Sequence, residues 1–221
     1  PASNPSVTID SGAPTATITS TETGPTNADP IPFTVTFSEA MDEGTVALGD
    51  FTIGNGTASN LNCSGDPTVC TFDVTPTADG NVTVDIAADS MDDPAGNGNS
   101  TATQFAIVSD TQAPAAAPIT AATSPASPTS DTGADLNITC GTESANGTVV
   151  VTTNPANGFS PNYATTENLD ANGDLTLSAI TWNAGTYDIV LACSDEAGNG
   201  PTAPASNPSV TIDSGAPTAT I

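Results

Sequence analysis

Apolar and polar residues alternate along this chain in short runs. Phe33, Val35 and Phe37 are separated by Thr34 and Thr36, and Leu175 and Leu177 by Thr176. Successive side chains of a β-strand point to opposite faces, so a period of two predicts half-buried strands. In the first half the pattern predicts strands over 15–19, 31–38, 50–53, 58–63, 70–76, 81–87 and 103–108. In the second half it predicts strands over 136–142, 149–153, 175–182, 187–194 and 209–213. Ala78-Asp79-Gly80, Asn172-Gly173-Asp174 and Asn183-Ala184-Gly185 supply turn chemistry between them. No segment sustains a helical period. The expected class is all-β, with strands and turns spaced as in a sandwich.

A repeat organises these strands. The segment from Pro1 to Ile18 recurs letter for letter from Pro204 to Ile221, a period of 203 residues. Fixed periods signal arrays, so the chain reads as one repeat plus an overlap, an excerpt of a longer protein. Within it, Asp10-Ser-Gly-Ala-Pro14, Asp110-Thr-Gln-Ala-Pro114 and Asp213-Ser-Gly-Ala-Pro217 each follow a β-rich run and mark three junctions, 100 and 103 residues apart. Their prolines stiffen short linkers. The expected division is 1–12 as the last strand and linker of a preceding repeat, 13–110 and 111–213 as two domains, and 214–221 as the start of the next repeat. Residues 4–10 then have no sheet of their own. An arbitrary boundary in a continuous fibre is preferred to a strand donated to a neighbouring copy.

Composition narrows the function. The chain has 25 Asp plus Glu and no Lys, Arg or His, a net charge of −25. Without a basic surface it is not expected to bind nucleic acid or an anionic membrane. Without His, Lys or Arg most catalytic repertoires are closed to it, and no enzyme activity is expected. Paired carboxylates could serve glycoside hydrolysis, but nothing sets one pair apart from the other acids. The carboxylates must be spaced out, screened, or neutralised by hard cations. Trypsin has no cleavage site in the repeat.

The four cysteines fall two per half, which reads as one disulfide per domain in an oxidising compartment. Cys140 shares a strand face with Leu136 and Ile138, and Cys193 with Ile189 and Leu191, so both point inward, as a bond between packed sheets requires. Cys63 and Cys70 flank a hairpin loop. Zinc is disfavoured, because the close pairs that zinc sites use are missing.

Several phrases together are specific. Asn27-Ala-Asp-Pro-Ile-Pro-Phe-Thr-Val-Thr-Phe-Ser-Glu-Ala-Met-Asp42, Gly49-Asp-Phe-Thr-Ile-Gly-Asn-Gly56, Phe72-Asp-Val-Thr-Pro-Thr-Ala-Asp-Gly80 and Asp93-Pro-Ala-Gly-Asn97 resemble the bacterial Ig-like domains of biofilm-associated surface proteins and large repeat adhesins. The second half is similar to a related Ig-like type in Thr123-Ser-Pro-Ala-Ser-Pro-Thr-Ser-Asp131 and Asp195-Glu-Ala-Gly-Asn199. The resemblance implies two tandem immunoglobulin-like β-sandwich domains in an extended, extracellular or cell-surface rod that is a stalk or fibre. Its cysteines and its lack of basic residues depart from the pattern.

The candidate sites are acidic or glycosylated. Asp92 and Asp93 precede the last strand of the first domain and Asp110 ends it; Asp195, Glu196 and Asp213 repeat this in the second, and Asp10 is the equivalent of Asp213. If loop and strand end converge, carboxylates and carbonyls could form the oxygen cage of a structural calcium that locks one domain against the next. The other reading is that these are turn-favouring aspartates. Sequons at Asn55, Asn62, Asn81, Asn99, Asn137 and Asn146 are candidate glycan acceptors, and the Ser, Thr and Pro of 120–132 suit O-linked sugar. The expected partners are thus further copies of the repeat, by tandem or filament assembly, and covalent glycan. The alternative function is a glycan- or surface-binding module, with Trp182, Tyr163 or Tyr187 as stacking platforms. Buried aromatics would speak against it.

Overall fold

A computed structural model describes residues 9–63, 65–116, 118–161 and 166–215. The chain divides into two compact units, Pro1–Thr111 and Gln112–Ile221. Residues 1–8, 216–221 and Tyr163, which figure among the expectations above, lie outside the described residues.

The first unit is a seven-stranded sandwich. One sheet has the order β1 (Ala16–Ser20), β2 (Ile31–Phe37), β5 (Val69–Pro76), β4 (Gly56–Asn62); the other has β3 (Phe51–Gly54), β6 (Gly80–Ile86), β7 (Phe105–Ser109). All pairs are antiparallel. Named by chain order, these are the ABED and CFG sheets of the immunoglobulin constant-type fold. The alternation read from the sequence is the cause. Ile31, Phe33, Val35 and Phe37 of β2 and Cys70, Phe72 and Val74 of β5 turn inward from one sheet. They meet Phe51, Val82, Val84, Ile86 and Ile107 from the other. Met41 and Met91 fill out the same core.

The second unit arranges the theme differently. β13 (Asp174–Leu177), β9 (Asp135–Thr139) and β8 (Thr120–Ser124) form one sheet. β12 (Thr166–Asn168), β10 (Thr148–Asn154), β15 (Gly185–Ser194) and β16 (Ser209–Ile212) form the other, and β11 (Phe159–Ser160) pairs with β14 (Thr181–Trp182). Leu136, Ile138 and Leu177 from one sheet pack against Val149, Val151, Ile189, Leu191 and Val210 from the other, with Trp182 and Phe159 in the same cluster.

Two expected strands are corrected. The run 175–182 breaks into β13 and β14, with Ala179 at φ 56° between them. A left-handed alanine cannot continue a strand. The expected strand 136–142 stops at Thr139, because Gly141 takes φ 87° and leads into a single 3-10 turn, Thr142–Ser144. Strands β8, β11 and β12 were not anticipated. Among the described residues no helix is long and apolar enough to cross a membrane.

In both units a residue of the first interstrand loop pairs in parallel with the end of the last strand. Thr26 bridges to Ser109, with Thr26 N–H donating to Val108 O (3.0 Å) and Asp110 N–H to Thr26 O (2.9 Å). Thr129 bridges to Ile212, with Thr129 N–H donating to Thr211 O (3.1 Å) and Asp213 N–H to Thr129 O (2.9 Å).

Candidate functional site

The acidic residues separate into two kinds once their hydrogen bonds are traced. Asp93-Pro-Ala-Gly-Asn97 and Asp195-Glu-Ala-Gly-Asn199 build the same loop. The first carboxylate accepts from the Asn97 N–H and side-chain amide, both at 2.8 Å, and from Ala95 N–H at 2.8 Å. The second accepts from Asn199 N–H at 2.8 Å and from its amide at 3.0 Å. In each case the Asp N–H donates to the Asn carbonyl, at 3.0 and 3.2 Å. Asp93 and Asp195 are only 2% and 5% exposed. A buried carboxylate needs such donors, so each Asp side chain is the hub of its own turn. The Asn97 side chain foremost, then its N–H, holds Asp93 below the ordinary carboxylate range.

The topology also decides whether loop and strand end converge. Gly80 pairs with Ser109 and Val84 with Phe105, so Asp110 lies beside the start of β6. Asp92 and Asp93 lie beyond its other end, at Ile86. In the second unit Gly185 pairs with Ile212, which puts Asp213 at the start of β15, while Asp195 follows its end at Ser194. Within each unit, therefore, the loop aspartates and the strand-end aspartate sit at opposite poles. Half-buried Asp92 is engaged through its backbone: its N–H donates to Thr45 Oγ1, and its carbonyl accepts from Asp42 N–H. Exposed Glu196 accepts from Asn146 Nδ2 at 3.3 Å.

Asp10 is the residue that does reach a loop aspartate. Its carboxylate, that of Glu39 after β2, and Asp93 bring oxygen atoms within 4.8 Å of one another, the one such acidic group among the described residues. Asp10 is exposed, Glu39 half-buried and Asp93 buried. Partial withdrawal of Glu39 from water, followed by the charges of Asp10 and Asp93 and a hydrogen bond to Asp10, raises its pKa above the ordinary value. The chain offers no cationic side chain to offset these three charges. A shared proton, or a hard cation accepting oxygen ligands, would relieve them. The sequence reading missed Glu39, since only the fold joins positions 10, 39 and 93. Its one signal is an acidic residue directly after a strong strand.

The cysteines pair as Cys63–Cys70 and Cys140–Cys193, and no cysteine is free. The second bond joins the end of β9 to β15, across the two sheets, with both residues fully buried. The sequon residues differ in reach. Asn62, Asn81, Asn137 and Asn146 are not buried, and Asn55 is half-buried, its Nδ2 donating to Ala78 O at 2.8 Å. Asn99 is 1% exposed. Its amide donates to Ala87 O and Ser100 O, and its Oδ1 accepts from Ser90 and Met91 N–H. In the folded unit Asn99 is a strut, out of reach of a glycan. Trp182 and Tyr187, 2% and 8% exposed, are core residues: the indole donates to Ala134 O at 2.8 Å and stacks edge-on with Phe159.

The match to a family model agrees with the architecture of the first unit. The model of the bacterial Ig-like domain matches residues 10–109, a stretch that runs from Asp10 to the end of β7 and holds Glu39 and Asp93. No curated protein matches the sequence. Among solved structures, the Escherichia coli adhesin FdeC is 12% identical at a TM-score of 0.39, over 92% of this chain and 63% of its own. The Yersinia pseudotuberculosis adhesin InvE is 19% identical at 0.32, over 91% and 58%. The N-terminal part of the bacterial S-layer protein SbsC is 14% identical at 0.34, over 91% and 44%. This chain thus spans less than two thirds of each. On its family match, its seven-stranded ABED and CFG topology and its core, the segment 10–109 belongs to the bacterial Ig-like domains.

Proposed function

We propose that this chain is a load-bearing spacer, a repeat in the stalk of an extracellular fibre or surface adhesin, without catalytic activity. One observation carries the reading: each unit closes a core of its own and spends its large side chains there. Phe33, Phe72 and Trp182 are each at most 2% exposed, and among the described residues only Ile9 and Val108 are large exposed hydrophobics. A module that grips sugar would present an aromatic platform to solvent; Trp182 and Tyr187 do not supply one. The two disulfides suit an oxidising exterior.

Calcium is the proposed cofactor, with the Asp10–Glu39–Asp93 group as the place to look for it. Glycan is proposed at Asn62, Asn81, Asn137 and Asn146, and tandem or filament assembly with further copies is proposed as the partner. Cryo-electron microscopy of native material, with and without a calcium chelator, tests the reading. The expected image is a straight rod with two beads per 203-residue period. Material that never forms an elongated array would overturn it.

A further inference from the structure

The two disulfides span very different lengths of chain, a separation of 7 residues from Cys63 to Cys70 and of 53 from Cys140 to Cys193. Tension between the chain ends would enter the first unit through β1 and leave through β7; in the second it would enter through β8 and leave through β16. Each exit strand is held at its end by the same parallel bridge, Thr26 to Ser109 and Thr129 to Ile212. The units therefore open through similar clamps and differ in what opening releases.

A disulfide carries tension past the loop it closes. Once β8 and β16 are drawn out, force in the second unit runs through the Cys140–Cys193 bond, and residues 141–192, with β10 to β14, carry none of it. The strands of that unit run from Thr120 to Ile212, so removing the 53-residue separation that the bond bridges leaves about 40 residues to extend. The first unit runs from Ala16 to Ser109, and removing 7 leaves about 87. At roughly 3.4 Å per extended residue, the first unit yields about 300 Å and the second about 140 Å before the folded span is subtracted.

We propose that the two units play different mechanical parts, the first being the extensible link under load and the second the length-limited link. The idea rests on the load-bearing reading for its use, and on chain connectivity alone for its mechanics. It gives a repeat that yields length from one unit while the other retains more than half of its chain inside a covalent ring. Because Cys140 and Cys193 are fully buried, a thiol reaches their bond only after the outer strands have left.

The test is single-molecule force spectroscopy on the whole chain held by its two ends. The untreated protein should give two unfolding steps that differ about two- to threefold in length. Dithiothreitol should leave the large step almost unchanged. It should add a second extension of about 180 Å after the small one, as 53 more residues are freed. In that exchange the protein disulfide gains two electrons and two protons, and the reagent closes to its cyclic disulfide. Replacing Cys140 and Cys193 by Ser should make the two steps equal. Should that variant fail to fold, the thiol experiment on the native chain still decides. The Cys63→Ser, Cys70→Ser pair should lengthen the large step by less than a tenth. Equal steps in the untreated chain, or a small step that dithiothreitol never extends, would overturn the proposal. Native material that forms no rods would instead remove the load-bearing reading and leave the two-step record standing.

Discussion

The two units each close a two-sheet core, by different means. The first is held by aromatic packing: Phe72 stacks on Phe33 at 5.5 Å and meets Phe51 at 4.7 Å, while Phe105 sets its edge against Phe33 at 5.6 Å. These rings come from both sheets, so the sandwich closes without a covalent tie. Its disulfide sits on the β4–β5 hairpin, with Cys63 half-buried at the core's margin. Among its described residues the second unit has one aromatic group, Phe159, Trp182 and Tyr187, and a disulfide buried within its core. The contrast teaches that an acidic chain with no cation of its own can close a sandwich by buried area or by a cross-link, and that the two choices respond differently to chemistry and force.

Removing the cross-links should separate the units most. In the chain-entropy model, loss of Cys140–Cys193 costs the second unit about 4 kcal/mol and loss of Cys63–Cys70 costs the first about 2.4 kcal/mol. Denaturant melts of the Cys→Ser pairs, read by Trp182 fluorescence for the second unit and by hydrogen exchange for the first, should rank them in that order. Equal losses would place the first unit's stability on its hairpin. The complementary change is Phe72→Ala, which truncates the ring shared by both sheets of the first unit and should cost about 3 kcal/mol there. The Trp182 transition should stay where it was.

How much of this was legible beforehand depends on the distance over which residues cooperate. The alternation around Phe33, Val35 and Phe37 suffices to find β2, whose observed burial repeats it position by position. The Cys140–Cys193 bond follows from the same rule, because both cysteines share faces with apolar neighbours. β8 was not legible: Thr120-Ala-Ala-Thr-Ser124 is small and polar on both faces, and becomes a strand only by pairing with β9. Nor was the break at Ala179, where a residue that favours ordinary backbone is held left-handed between two strands. The Asp-x-Ala-Gly-Asn phrase was visible as a repeat, but that its carboxylate serves its own turn requires the hydrogen bonds.

Asn99 sharpens the comparison at one point. It lies six residues after Asp93, where the second unit, counted from Asp195, has Pro201 behind the Gly200–Pro201 peptide. Asn99→Ala would leave Ser90 and Met91 N–H and Ala87 O without their buried partner, a loss of about 2 kcal/mol. The first unit's transition should move accordingly, and the second's should not.

The smallest expected effect tests the acidic group, which has no counterpart in the second unit among the described residues. A carboxyl whose pKa is raised by folding binds its proton more tightly in the native state, so its contribution favours folding in mild acid and is lost as pH rises through the raised value. Glu39 is of this kind. Asp93, lowered by its turn, works oppositely: its contribution is present above the ordinary carboxylate range and is lost only as pH falls through its own depressed value. Acidification from neutrality should therefore stabilise the first unit through Glu39 before Asp93 is touched. Glu39→Gln keeps the hydrogen-bonding outline and deletes one charge. It should raise the first unit's melting temperature at neutral pH by about 1–3 °C and flatten its rise on mild acidification. Calcium acting at this group would take the proton's place: millimolar calcium should lift the native first unit at neutral pH and have less effect on Glu39→Gln. If calcium raises both proteins equally, it is screening general charge, and the group holds a proton or nothing.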